Sequence, residues 1–142
     1  NTSTLVSNID LVPTVLDFLN ITGEELSGIS VMEKEKLNTR ETLFIECYHH
    51  DILNVERPTE TVLYKVALNK KWKLMLPNTK MVVREFTLPE EQYYGYYSNK
   101  PQLYDLENDP EEKVNLAKQH PDIVVNMRNQ INNWWQPIKH MN

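Results

Sequence analysis

Val62-Leu63-Tyr64-Lys65-Val66-Ala67-Leu68-Asn69-Lys70-Lys71-Trp72-Lys73-Leu74-Met75-Leu76 decides the fold class. Val62, Tyr64, Val66 and Leu68 alternate with Leu63, Lys65 and Ala67. Trp72, Leu74 and Leu76 alternate with Lys73 and Met75. Period two is the signature of a strand, because successive side chains point to opposite faces. The short break at Asn69-Lys70 predicts a hairpin turn, since Asn tolerates φ > 0. Leu68 and Leu74 are expected to lie in the layer between this sheet and a helix.

Further strands are predicted on either side. Thr42–Tyr48 places Leu43, Ile45 and Cys47 on one face and Phe44, Glu46 and Tyr48 on the other, which makes Cys47 a small buried hydrophobe. Gln102–Leu106 reads as a short strand after Pro101, and Met81–Phe86 as a further candidate between Pro77 and Pro89. A first helix carries Val12, Val15, Leu16 and Leu19. Pro13 restricts its start and favours Asp10 as N-cap, with Ser7 and Asp10 as a competing capping box. Gly23 is expected to end that helix in a left-handed cap. Residues 24–40 are polar and suit a surface connection with a short helical piece. Asp109-Pro110 is expected to open a helical turn through Glu112. A long last helix starts at His120-Pro121 and presents Val124, Met127, Ile131 and Trp134 or Trp135 as one stripe. The fold class is therefore α+β: an antiparallel sheet of about four strands packed against a long C-terminal helix, with an N-terminal helix.

At 142 residues the chain is one ordinary domain or one lobe of a larger protein, and its lack of an initial Met favours a longer precursor. Fifteen basic against twenty acidic side chains give a formal net charge of −5. That balance disfavours nucleic-acid and anionic-membrane binding, which need clustered positive charge. No apolar run reaches membrane-span length. Three glycines are too few for a phosphate-cradling loop, and the single cysteine can form neither an internal disulfide nor a Cys-based zinc site.

Little else in the residues carries chemistry. There is no Gly-x-Ser-x-Gly elbow and no His-Glu-x-x-His. His49 and His50 stand side by side before Asp51. On a strand they would point apart and could not share a metal; in a loop that objection weakens. They are a solvated strand end, or one imidazole binds an anionic substrate, or they belong to a metal site. We carry His49 and His50 forward as candidate substrate-binding residues and assign no catalytic or metal-binding residue. Tyr93, Tyr94, Tyr96 and Tyr97 around Gly95 fit either a sugar-stacking surface or a loop clamp. One indole of Trp134-Trp135 is expected in the core and the other against a partner.

Leu103-Tyr104-Asp105-Leu106-Glu107-Asn108-Asp109-Pro110-Glu111-Glu112-Lys113-Val114-Asn115-Leu116-Ala117, followed by His120-Pro121, resembles the C-terminal signature of the sulfatases. The segment Asp10-Leu11-Val12-Pro13-Thr14, with Gly28-Ile29-Ser30 after it, is similar to that family's Asp-Leu-x-Pro-Thr helix. Lys65–Leu74 is similar to its hairpin, with Leu68 where the family often has Arg. The resemblance implies that residues 1–142 are the C-terminal subdomain of an arylsulfatase-type enzyme of the alkaline-phosphatase-like superfamily. It further implies a separate N-terminal α/β domain as partner, carrying a calcium ion and a formylglycine nucleophile made from a Cys/Ser-x-Pro-x-Arg motif. Cys47 precedes Tyr48-His49-His50-Asp51 and does not fit that motif. The implied substrate is a sulfated small molecule or carbohydrate, and the implied location is periplasmic or secreted. The alternatives are a related phosphonate or phosphodiester hydrolase, or a free-standing binding module.

Overall fold

The computed structural model describes residues 4–23, 25–48, 57–79 and 98–136. The chain divides into two compact units, Asn1–Leu43 and Phe44–Asn142. Elements run in the order α1 (Leu11–Phe18), α2 (Lys34–Asn38), β1 (Leu43–Tyr48), β2 (Val62–Leu68), β3 (Trp72–Pro77), β4 (Gln102–Asp105) and α3 (Pro121–Trp134). The expected strand at Met81–Phe86 lies outside the described residues.

In the second unit the strands form a four-stranded antiparallel sheet in sequence order. Ala67 pairs with Leu74, and Leu74 with Leu103. These three side chains and Leu76 meet Val124, Met127 and Ile131 of α3, so the first three members of the helix stripe read from the sequence pack, while its expected tryptophan end does not join this core. Burying each of the Leu, Val, Met and Ile side chains contributes about 1.5–3 kcal/mol before entropy is charged against it. The same register corrects one expectation. Leu68 pairs with Lys73 and lies on the face away from α3; Ala67 takes the place assigned to it. That second face is buried as well, through Val62, Tyr64, Val66, Gln102 and Tyr104.

The β2–β3 turn forms where expected, for a different reason. Asn69 does not adopt a left-handed backbone. Its carboxamide oxygen accepts from Lys71 N–H at 2.9 Å and Trp72 N–H at 2.6 Å, while Asn69 N–H donates to the Trp72 carbonyl. This is an Asx turn, in which the side chain does the work of a backbone acceptor.

Cys47 is also corrected. It is exposed, as is its same-face neighbour Ile45, because only the Phe44 phase of β1 reaches α3. The last helix starts as read, with His120 at the N-cap and Pro121 first inside. The His120 ring packs on Trp72 with centroids 5.3 Å apart.

In the first unit a short 3-10 turn at Asn8–Asp10 leads into α1. Asp10 Oδ2 accepts from Ser7 N–H at 2.8 Å, so Asp10 closes the start from inside the turn, as the capping-box alternative has it. Pro13 has no N–H to offer the Ile9 carbonyl. Gly28 passes that carbonyl so closely that a Cβ there would overlap its oxygen. Asn20, not Gly23, ends α1. Asn20 has φ 55°, its N–H reaches Asp17 O, and Ile21 N–H reaches Leu16 O at 2.9 Å. These are the two bonds of a Schellman cap, and Asn is the commonest substitute for Gly there.

Candidate functional site

His49 and His50 lie outside the described residues, and so do Asp51 and the Tyr93–Tyr97 group. Among the described residues, no three His, Cys, Asp or Glu side chains gather where one metal ion would bind. No described helix is long and apolar enough to cross a membrane. Three constructions remain: the signature segment, the apolar face of α1, and a recess where β1 meets the end of α3.

The signature residues bind one another. Asp105 Oδ1 accepts from Glu107 and Asn108 N–H, and Asp105 Oδ2 from Asn108 Nδ2 at 2.9 Å. The Asn108 side chain leads the effects that hold the Asp105 carboxyl below its ordinary range, with Lys71 adding to it. Asp109 Oδ2 accepts from Val114 N–H at 2.8 Å. Asn115 Oδ1 accepts from Leu103 and Ala117 N–H, and its Nδ2 donates to Pro101 O. Leu116 N–H donates to Leu103 O at 2.8 Å. Here the expected helical turn at Asp109–Glu112 is corrected. The segment is a tight turn ending in Glu112 at φ 56°, so no helical ladder continues. Asp105, Asn108, Asp109 and Asn115 are spent on shaping the connection from β4 to α3. None is left aimed at a common point, as a reaction centre would need.

The apolar side chains of α1 face outward. Leu11, Val12, Val15, Phe18 and Leu19 are all exposed, Phe18 by 72%, and α1 buries no side chain. A contiguous apolar face of this kind marks an interaction surface. Beneath it the unit is held by a buried ion pair. Asp10, 1% exposed, meets Arg40 through Nη1 at 2.5 Å and Nη2 at 2.7 Å, and Asp10 Oδ1 also accepts from Ile29 N–H. Arg40 also donates to Leu5 O. The guanidinium, helped by the Ile29 and Ser7 amides, holds the Asp10 carboxyl well below the usual range, and Asp10 in turn raises Arg40. The Asp-Leu-x-Pro-Thr segment thus has a mechanical role: Asp10 ties residues 5, 7, 29 and 40 together. Thr14 extends this, donating to Asp10 O at 2.6 Å and accepting from Val31 N–H.

The recess has a volume of about 220 Å³ and is lined by Glu46, Tyr48, Thr59, Trp134, Trp135 and Gln136. Trp134 stacks on Phe44 with centroids 4.9 Å apart and planes 11° from parallel, yet remains 41% exposed. Tyr48 Oη donates to Glu46 Oε2 at 2.6 Å. Lys65 Nζ lies 3.9 Å from the Trp135 ring centroid. Partial burial and the Glu46 carboxylate push the Tyr48 phenol up to about 12, and burial lowers Lys65 against the pull of Glu46. Neither Trp134 nor Trp135 lies in the core, where one of them was expected: Trp134 is exposed and stacks on Phe44, and Trp135 is partly buried beside Lys65. Glu46, Thr59 and Lys65 were not among the expected site residues. The available signal was a charge on the inward phase of each strand: Glu46 after Phe44, and Lys65 between Leu63 and Ala67.

No family model matches the chain, and no curated protein matches it in sequence. Solved structures do match in fold. A 2-O GAG sulfatase superposes with TM-score 0.56 at 19% identity, over 88% of this chain and 23% of its own. A chain assigned as a sulfatase from Bacteroides thetaiotaomicron VPI-5482 gives 0.57 at 19%, again over 88% and 23%. The chain has the fold of a sulfatase subdomain. A phosphonate monoester hydrolase of Agrobacterium radiobacter shares that subdomain fold too, with TM-score 0.54 at 18% identity over 87% and 23%. The chain spans about a quarter of the length of each of these sulfatase-fold structures.

Proposed function

We propose that this chain is the C-terminal subdomain of a sulfuric ester hydrolase acting on a sulfated sugar, in the periplasm or outside the cell. The observation that carries the proposal is the shared fold over about a quarter of a sulfatase, in a chain whose signature side chains Asp105, Asn108, Asp109 and Asn115 are engaged structurally. The outward apolar face of α1 supports a large partner surface, which in this proposal is the catalytic α/β domain. Calcium and formylglycine belong to that domain. Cys47 lacks the Pro and Arg that formylglycine formation needs, and no described cluster here suits a cation. The subdomain walls the cleft and selects the alcohol half of the ester, with His49 and His50 as the substrate-binding candidates.

The test is direct. The 142-residue chain releases no sulfate from 4-nitrocatechol sulfate, and the parent protein that contains it does. Turnover by the chain alone overturns the proposal. A parent protein that cleaves a phosphonate monoester and no sulfate ester establishes instead the second reading, which the phosphonate monoester hydrolase of the same fold favours. A chain that stays monomeric and ignores the catalytic domain added in trans would be a free-standing module.

A further inference from the structure

We propose that the recess between β1 and the end of α3 binds one ring of a carbohydrate, its C–H face against an exposed indole and its hydroxyls on the Glu46 carboxylate. The volume of about 220 Å³ is room for roughly seven waters at about 30 Å³ each, a single-ring site rather than a channel.

The lining chooses among ligand classes. An anion is disfavoured, because Glu46 presents negative charge to the space. A cation is disfavoured, because Lys65 already occupies the Trp135 face and offsets Glu46. A purely apolar ligand would strip water from Glu46, the Tyr48 hydroxyl, the Thr59 hydroxyl and the Gln136 amide without replacing those hydrogen bonds. A polyhydroxylated ring meets all three conditions. It has an apolar face for Trp134, which stays open although its ring stacks on Phe44. It has hydroxyls for Glu46, whose Oε2 is engaged by Tyr48 and whose carboxylate can accept further bonds. The Tyr48 bond and the Phe44 stack hold both groups in place before any ligand arrives.

The biological identity of the ring, a sugar flanking the sulfated residue of the substrate, rests on the sulfatase reading; the binding itself does not. The experiment therefore uses sugars without sulfate. The chain has three tryptophans, and Trp72 packs on His120 away from the recess. Three indole N–H signals thus give two reporters and one internal control. Titration of the ¹⁵N-labelled chain with N-acetylchitohexaose or cellohexaose, both uncharged, should move the Trp134 and Trp135 signals saturably, with Kd about 1 mM, and leave Trp72 in place. Glu46→Gln should weaken binding about tenfold with an unchanged spectrum elsewhere. Trp134→Ala should abolish it. No saturable movement with either sugar at tens of millimolar overturns the proposal, and so does equal movement of all three indoles or undiminished affinity in Glu46→Gln. A failed titration leaves sulfate hydrolysis by the parent protein untouched, and a parent without sulfatase activity leaves a positive titration standing.

Discussion

Lys73 Nζ holds both carboxylate oxygens of Glu112, at 2.6 and 2.8 Å, and Glu112 sits in left-handed backbone at φ 56°. A non-glycine residue in that region costs roughly 1–2 kcal/mol. The pair is half-buried and spans from β3 to the turn before α3, so it offsets that cost where it is incurred. Glu112→Gly removes strain and pair together, whereas Glu112→Ala removes only the pair. Urea unfolding should find the Gly variant more stable than the Ala variant by about 1 kcal/mol. Equal stabilities would show that the backbone is not strained there.

The Asp10–Arg40 pair predicts an acid transition in the first unit. The folded carboxyl titrates below the unfolded value of about 3.9, so the folded state binds fewer protons in that range. The stabilisation is complete above the unfolded value and is lost as pH falls through the folded one. Asp10→Asn should remove this pH dependence. It also leaves the Arg40 guanidinium buried without a counter-charge, at a cost of about 3–5 kcal/mol. Hydrogen exchange at Ile29 N–H, followed from neutral pH downward, checks both statements.

Gly28 should not accept a side chain. In Gly28→Ala the new methyl meets the Ile9 carbonyl oxygen and the Pro13 ring, and neither is a flexible chain end. The first unit should lose about 1–3 kcal/mol. The Gly23→Ala change meets no neighbour but forces φ 115° on an L residue, so its cost should be conformational alone. Comparing the two thermal midpoints separates crowding from backbone strain.

Tyr48 offers a readout of the recess itself. Its phenol is pushed up to about 12 by partial burial and by Glu46. Because the folded value exceeds the unfolded one of about 10, this stabilisation is complete below pH 10 and is lost as pH rises through about 12. Glu46→Gln should bring the phenol back toward its ordinary value, measured by NMR on ¹³C-labelled tyrosine. An unmoved titration would mean that burial acts alone.

What was legible in the sequence is what periodicity encodes. The period-two runs of β2 and β3 and the Val124, Met127, Ile131 stripe fix sheet, helix and their shared layer. Misreadings fell where side chains replace backbone partners. Asn69 makes its turn by accepting two amides, Asn20 takes the left-handed cap from Gly23, and Asp109 closes a turn that opens like a helix. Residue type alone cannot separate such uses, because Asn and Asp serve caps and turns alike. Leu68 was misplaced since a one-residue change of register exchanges the faces of a strand. The recess was illegible for another reason: Glu46 and Trp134 are almost ninety residues apart, and only the sheet-on-helix packing brings them together.

Strand β4 lies at the border of the sheet formed by the described residues, where one side of its backbone has no further described strand to pair with. Asn115 and Leu116 fill that side, taking up the N–H and the carbonyl of Leu103, and Asn115 also reaches Pro101 O. A strand so occupied cannot recruit the corresponding strand of another molecule. The Asn-Leu-Ala run thus safeguards against open-ended self-assembly, and Asn115→Ala should reveal this as fibril growth or precipitation at concentrations where the parent sequence stays clear.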